Sequence, residues 1–135
     1  MPLKIQIKSG QQIIINGAVL ENASPRTASL LVKNEAAILR DKDILTSEDA
    51  TTPASRVYYT LQCVYLFPEE KDKYLDHFAD FIAAYLKAVP SSSEMVDAIR
   101  GLVDTGQYYS ALKMTQDLIS QEGEILARVP APAGE

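Results

Sequence analysis

The sequence has few of the residues on which many enzymes and secreted proteins depend. Its 135 residues include no tryptophan, one cysteine, Cys63, and one histidine, His77. A single cysteine cannot form an internal disulfide, and the first residues lead directly into alternating polar and apolar positions without an apolar signal segment. No stretch approaches the roughly 20 apolar residues that cross a bilayer. These features predict a cytoplasmic protein with no membrane segment.

Catalytic and metal-binding motifs are also missing from the sequence. The chain has no glycine-rich phosphate loop, no Gly-x-Ser-x-Gly elbow and no Cys-x-x-Cys pair. His77 precedes Asp80 by three positions, which is half of a metal-binding pattern, but nothing supplies the other half, so a surface pairing of the two is favoured. Cys63 has no histidine near it in sequence and is expected to pack inertly. We therefore predict no enzyme activity, catalytic residue, metal or cofactor.

Charge and aromatic residues are divided unevenly along the chain. Residues 1–45 carry six basic and four acidic side chains, a net charge of +2, whereas residues 46–135 carry seven basic and fourteen acidic ones, a net charge of −7. An anionic partner would prefer the first part, although random surface variation explains so small an excess about equally well. All ten tyrosines and phenylalanines lie at position 58 or later, which excludes a sheet that stacks RNA bases on aromatic side chains.

The first part of the chain has the pattern of short antiparallel strands. Apolar residues alternate with polar ones from Leu3 to Lys8, and Asn16-Gly17 separates two further apolar runs. Both residues of that pair tolerate the positive φ of a type I′ hairpin turn. The pattern predicts a small antiparallel β meander that needs cover on its apolar face. Its strands are expected within residues 3–8, 13–15, 18–20, 28–32 and 36–40.

From residue 46 onward the hydrophobic period changes to that of helices. Thr46-Ser47-Glu48-Asp49 is one candidate helix start, and Thr52-Pro53 is another, with Thr52 as the N-cap. Ser91 and Glu94 have the capping-box pattern for a third helix. The residues expected to end or separate helices are Pro68, Pro90 and Gly106. These signals predict four amphipathic helices, arranged as a four-helix bundle or as two helical hairpins.

The predicted fold class is therefore α+β, with a β subdomain at residues 1–45, a helical subdomain at 46–127 and a flexible tail at 128–135. In the helical part, the adjacent pairs Tyr58-Tyr59 and Tyr108-Tyr109 cannot both face into one side of a helix. One tyrosine of each pair is expected to be half exposed, either covering the rim of the protein or anchoring a partner. The candidate protein-interface residues are Tyr59, Tyr108 and Tyr109.

Five segments in order carry a family resemblance: Met1-Pro2-Leu3-Lys4, Ile14-Ile15-Asn16-Gly17-Ala18-Val19-Leu20-Glu21-Asn22, Ile38-Leu39-Arg40-Asp41-Lys42-Asp43-Ile44, Thr52-Pro53-Ala54-Ser55-Arg56-Val57-Tyr58-Tyr59 and Gly106-Gln107-Tyr108-Tyr109-Ser110-Ala111-Leu112-Lys113. Together they resemble the FlbT family of flagellar regulators of alphaproteobacteria, over residues 1–127. The resemblance implies post-transcriptional control of flagellin, with repression as the default, through the 5′ untranslated region of its messenger RNA. It also implies FlaF as a protein that often works beside the family.

The first 45 residues have a second similarity, at residues 10–15 and 40–44, to the carbon storage regulator family. That family is a small β protein that binds RNA through its first strand and the arginine that closes its last one. On this analogy Lys4 and Arg40 would contact RNA. This chain departs from that family by having lysines in its first strand, and similarity of fold alone does not identify a site.

Two functions follow from these observations. An RNA-binding regulator would use basic side chains, and the candidates are Lys4, Lys8, Arg26, Arg40, Lys42 and Arg56. Arginine can hold phosphate bidentately, which favours Arg40 and Arg56, although Arg40 can instead pair with Asp43 or a helix acid. The alternative is a non-enzymatic protein-binding module or chaperone-like partner of flagellin or FlaF that affects the flagellin mRNA leader indirectly, because the acidic helices repel RNA. An exposed β edge also makes a homodimer an expectation.

Overall fold

The computed structural model describes residues 3–128. Five strands are followed by four α-helices, which confirms the α+β class. The strands are β1 (Leu3–Ile7), β2 (Gln12–Ile15), β3 (Ala18–Glu21), β4 (Ala28–Val32) and β5 (Ile38–Arg40). The α-helices are α1 (Pro53–Leu66), α2 (Lys71–Ala88), α3 (Ser93–Asp104) and α4 (Tyr108–Arg128). Of the predicted tail, Arg128 ends α4, and residues 129–135 lie outside the described residues.

The chain forms two compact units and crosses between them three times. The strand unit contains the residues up to Ile44 together with Tyr65–Glu69. The helical unit contains Leu45–Val64 and the residues from Glu70 onward. The strand unit therefore includes the last two residues of α1 and the turn that follows them.

The antiparallel strands form two sheets. Strand β1 pairs with β4, whereas β2 pairs with β3 on one side and with β5 on the other. The β2–β3 hairpin turns at Asn16 and Gly17, whose φ angles of 50° and 85° are those the sequence predicts there. The strand order differs from the sequential pairing of a meander, because period-two alternation identifies strands but does not identify their partners.

The two sheets enclose one apolar core. Ile5, Ile7 and Ile13 are its buried centre, and it is completed by partly buried Ile15, Val32 and Ile38. Full burial of one such aliphatic side chain stabilises a fold by about 1.5–3 kcal/mol. The strand unit is therefore a small sandwich, and the cover that the strand pattern requires is supplied by the second sheet.

The segment Tyr65–Glu69 packs against the three-stranded sheet. The Tyr65 hydroxyl donates to the carbonyl oxygen of Ile38 at 3.2 Å and accepts the Ile38 N–H at 2.9 Å. A Cβ atom at Gly17 would lie 3.3 Å from the Phe67 ring. The positive φ therefore favours glycine at position 17, and an added Cβ there would also press against the Phe67 ring.

Helix α4 contacts each of the other three α-helices of the helical unit. The buried Glu122 carboxylate accepts the N–H of Ala54 in the first turn of α1 at 3.0 Å. Tyr85 of α2 donates to the Gln121 side chain at 3.0 Å. Helix α3 packs against α4 after a turn at Gly106, where φ is 76°. Within residues 3–128 no helix is both long and apolar enough to cross a membrane.

The first helix begins at the second of its two predicted starts. The Thr52 hydroxyl accepts the N–H of Ser55 at 3.2 Å, so Thr52 caps a helix that has Pro53 in its first position. The start predicted at residues 46–49 is wrong. There the Thr46 hydroxyl accepts the N–H of Asp49 at 3.3 Å, but this closes only a turn.

The capping box predicted at Ser91 and Glu94 is also wrong. Pro90 begins a 3₁₀ turn over residues 90–92, and α3 starts directly after it. Ser92 occupies the N-cap position, and its hydroxyl donates backward to the carbonyl oxygen of Val89 at 2.6 Å. The 3₁₀ turn that begins at Pro90 therefore moves the N-cap position from Ser91 to Ser92. The Ser92 hydroxyl closes this turn and does not accept an N–H of α3.

Candidate nucleic-acid interface

One side of the sandwich has a groove that brings two of the predicted RNA contacts together. The groove lies between β1 and the strands β2 and β5, has a volume of about 220 Å³ and is termed the polar groove. It is lined by Ile5, Gln6, Ile7, Gln11, Gln12, Ile13, Arg40, Asp41 and Lys42. The isoleucines are buried core residues, whereas Arg40 and Lys42 are exposed. The groove therefore has an apolar floor, two cations beside the end of β5 and glutamines in the rest of its lining.

The position of the two cations is fixed by backbone pairing and by one carboxylate. Arg40 is the last residue of β5 and lies opposite Ile13 of β2. The carboxylate of Asp41 accepts the backbone N–H of Gln12 at 2.8 Å, which ties the end of β5 to the start of β2. Lys42 follows in the 3₁₀ turn at residues 41–43. Among residues 3–128, Asp41 is the one acid that lines the groove, and its carboxylate is already used in this contact.

Three glutamines line the same groove, and sequence reasoning missed them. Gln6 lies on β1 between the core residues Ile5 and Ile7, and the side-chain oxygen of Gln11 accepts the Lys8 N–H at 2.9 Å. A glutamine amide offers both donors and an acceptor, as the edges of nucleobases do. The alternation of Gln6 with Ile5 and Ile7 predicts a strand with one polar face. It does not predict that this face lies beside a groove.

The other predicted cations of the first part lie outside the polar groove. Lys4 is on β1 opposite Leu31, and Lys8 directly follows β1. Both therefore flank the groove without lining it. Arg26 belongs to the turn before β4, where its carbonyl oxygen accepts the Asn22 side-chain amide at 2.8 Å.

Arg56 lies in the helical unit and lines a different cavity, of about 240 Å³. This cavity brings it together with Tyr59, which is partly exposed as predicted. Cys63 is buried, and the hydroxyls of Tyr59 and Tyr74 lie near its sulfur. Burial raises the pKa of the Cys63 thiol and of both tyrosine hydroxyls above their ordinary values. A raised thiol pKa disfavours the reactive thiolate, in keeping with the inert packing expected of this cysteine.

The other two predicted interface tyrosines differ in their surroundings. Tyr108 lines a cavity of about 430 Å³ that α2 and α3 border, whereas Tyr109 is 43% exposed with the Lys113 ammonium 6.0 Å from its ring centre.

His77 is exposed, and its ring meets the Tyr74 ring edge-on at a centroid distance of 6.2 Å. No ion pair joins it to Asp80 within the described part of the chain, so the expected surface pairing is wrong. Between residues 3 and 128 no group of three histidine, cysteine or acidic side chains is placed to hold a metal ion.

Comparison with known proteins identifies the family. A sequence profile described as "Flagellar protein FlbT" matches residues 3–126. A protein of Rhodopseudomonas palustris named "Probable flagellum biosynthesis repressor protein FlbT" is 38% identical over 128 residues, which cover 95% of this chain and 100% of that protein. The "Flagellum biosynthesis repressor protein FlbT" of Caulobacter vibrioides is 34% identical over 131 residues, which cover 96% of this chain and 92% of that protein.

No solved structure matches the chain. The family match and the relatives nevertheless extend through both the strand unit and the helical unit, so the resemblance seen in the sequence is confirmed. The chain belongs to the FlbT family of flagellar proteins.

Proposed function

We propose that this chain is a non-enzymatic, cytoplasmic repressor of flagellin synthesis that binds the 5′ untranslated region of flagellin mRNA through the polar groove. The names of its relatives support the part of the proposal that concerns repression of flagellar biosynthesis. The observation that carries the RNA part is the convergence of Arg40 and Lys42 with three glutamines in one groove. The mechanism then follows from the chemistry of these side chains.

The groove offers separate groups for the backbone and the bases of RNA. The Arg40 guanidinium can hold a phosphate with two parallel N–H donors, and the Lys42 ammonium adds a second positive charge. Gln6 and Gln12 present exposed amides that can pair with the edges of unstacked bases. Because the strand unit has no aromatic residue before Tyr65, recognition would rest on charge and hydrogen bonding and would be strongly salt-dependent.

The proposal is tested by titrating the purified full chain with the flagellin leader RNA and measuring fluorescence anisotropy between about 50 and 200 mM salt. Arg40→Ala should weaken binding and reduce the slope of log affinity against log salt by about 0.7 for each phosphate that the variant no longer binds. Arg128→Ala is the matched control, because Arg128 is exposed at the end of α4, where it pairs with Glu124 at 3.8 Å. Arg56→Ala tests the helical cavity as the RNA site instead.

Two outcomes would contradict the proposal. One is the absence of binding by the unmodified chain at the lowest salt. The other is an affinity that survives the combined Arg40→Ala and Lys42→Ala changes while circular dichroism shows that the fold is intact.

A second candidate function, binding of flagellin or FlaF, is favoured by the cavity bordered by α2 and α3. Its lining combines the apolar Leu75, Phe78 and Val103 with Tyr108 at the edge. A groove of this kind suits the apolar face of an amphipathic helix. Isothermal titration with purified FlaF or flagellin should show a loss of affinity in Tyr108→Ala and none in Tyr109→Ala, since the latter side chain lies outside the cavity lining.

A further inference from the structure

The other side of the sandwich has a second groove of different chemistry. It lies between β3 and β4, has a volume of about 260 Å³ and is termed the apolar groove. Leu20 and Leu30 form its walls, and Ile7 and Ala28 lie deeper. Glu21 is the one charged residue that the described part of the chain contributes to its lining.

The sandwich core is open at this groove. Leu20 lies opposite the core residue Ile13, and Leu30 lies opposite the core residue Ile5, so register places both leucines on inward faces. They are nevertheless 46% and 37% exposed. Val19 and Leu31, their neighbours along β3 and β4, are also exposed but point to the opposite faces of the two sheets, so the exposed apolar side chains at this groove are Leu20 and Leu30. Two exposed leucines on inward faces, beside an open core, indicate an interaction surface.

The strand edges at this groove lack the usual protection against pairing. Strand β3 pairs with β2 alone, and β4 pairs with β1 alone. Sheet edges are normally blunted by lysine, proline or a bulge, as charged residues such as Lys4 on β1 and Arg40 on β5 can do. In contrast, β4 has no charged residue, and β3 has only Glu21.

The charges beside the apolar groove are balanced. Glu21 lies at its end, and Arg26 belongs to the turn that is tied to the same end through the Asn22 side chain. Neither residue forms an ion pair with any other residue between 3 and 128. A two-fold axis makes residue i of one copy meet residue j of the other and the reverse, so a facing copy could pair both acids with both arginines.

We propose that a second copy of this chain covers the apolar groove in a symmetric dimer. Leu20 and Leu30 of each protomer pack against those of its partner, and Glu21 of one protomer pairs with Arg26 of the partner. An uncharged β4 permits this approach without bringing like charges together. A partner whose contact surface carries one sign of charge would leave either Glu21 or Arg26 without an opposite charge, which favours the self-complementary arrangement.

Sedimentation velocity of the full chain over a concentration series tests this association. The unmodified chain should sediment as a dimer, and Leu30→Lys should raise the dissociation constant roughly tenfold or more, because each dimer loses burial of two leucines. Leu126→Lys is the matched control, since Leu126 is 57% exposed on α4 of the helical unit. Leu20→Lys repeats the test at a second exposed position, and thermal melting followed by circular dichroism verifies that each variant is folded.

A charge exchange tests the identity of the occupant. Glu21→Arg and Arg26→Glu should each weaken the dimer, and the two changes combined in one chain should restore it. A chain that is monomeric at about 100 μM, a concentration at which a dimer with a dissociation constant of about 1 μM would be largely formed, overturns the proposal. So does a dimer unaffected by Leu30→Lys and Leu20→Lys, or a monomer that uses the apolar groove to bind FlaF or flagellin.

Discussion

The two grooves of the strand unit share one core and differ in what borders it. Ile7 lines both grooves, and a single cross-strand row of side chains connects them: Leu20 on β3, Ile13 on β2 and Arg40 on β5. One end of this row is an exposed leucine, and the other is an exposed arginine. Register decides the chemistry of each groove, because a slip of β2 by one residue would turn Ile13 to the other face of the sheet and break up this row.

Truncating the residue in the middle of this row should have the largest effect on both grooves. Ile13→Ala leaves a cavity in the core between the grooves and should lower the free energy of unfolding by about 2–5 kcal/mol. Denaturant unfolding measures this loss, and both RNA binding and self-association should decline together. Val19→Ala on the adjacent strand is the control, because an exposed side chain should change stability by only about 0.5 kcal/mol. Equal losses of unfolding free energy in Ile13→Ala and Val19→Ala would show that Ile13 is not central to the stability of the strand unit.

Asn22 offers a way to perturb the apolar groove preferentially. Its side-chain amide donates to the carbonyl oxygens of Ile7 and Arg26, both at 2.8 Å, and its oxygen accepts the Ser24 N–H at 3.0 Å. Asn22→Ala should cost about 1–3 kcal/mol and weaken the dimer more than RNA binding. Denaturant unfolding and sedimentation velocity measure the two effects. A variant that loses RNA affinity and keeps the dimer would contradict the separation of the grooves.

Asp41 offers the corresponding test at the polar groove, with a smaller effect. Asp41→Ala removes the acceptor of the Gln12 N–H at an exposed position and should lower the free energy of unfolding by about 0.5–1.5 kcal/mol. Asp41→Asn retains an acceptor and removes a negative charge beside the two cations, so its RNA affinity at low salt should exceed that of the unmodified chain. Anisotropy titration distinguishes the two variants. Identical behaviour of the two variants would show that the Asp41 carboxylate neither holds the Gln12 N–H in position nor repels RNA.

An alkaline titration tests residues of the helical unit that belong to neither groove. Its effect on the free energy of unfolding should be the smallest of those predicted. Because burial raises the pKa of Cys63, Tyr59 and Tyr74, their neutral forms are favoured in the folded state. Their contribution to stability is complete below the ordinary pKa values and is lost as pH rises through the raised ones. The free energy of unfolding should therefore fall between about pH 8 and 11, less steeply in Cys63→Ala. If the slope of the free energy of unfolding against pH is unchanged in Cys63→Ala, the thiol does not contribute to the pH dependence.

The sequence predicted the local parts of this fold and only some members of the site. The Asn16-Gly17 turn and the Thr52 cap follow from residues that are adjacent or three apart, and both are observed. The polar groove depends on contacts that sequence spacing does not encode, such as that of Gln12 with Asp41, 29 residues away. Positive charge selected Arg40 and Lys42, which share the groove, but it also selected Arg26, which lies elsewhere in the strand unit.

The return of Tyr65–Glu69 to the strand unit has a consequence for synthesis of the protein. The sheet containing Ile38 receives its Tyr65 hydrogen bonds and its contact with Phe67 from residues made well after the last strand. Because ribosomes add about 5–20 residues per second and domains tend to fold as they emerge, the nascent sandwich would wait several seconds with one face uncovered. Completion of this N-terminal unit is thus timed by the emergence of a helix end, and a messenger truncated after the strands would encode an unfinished sandwich.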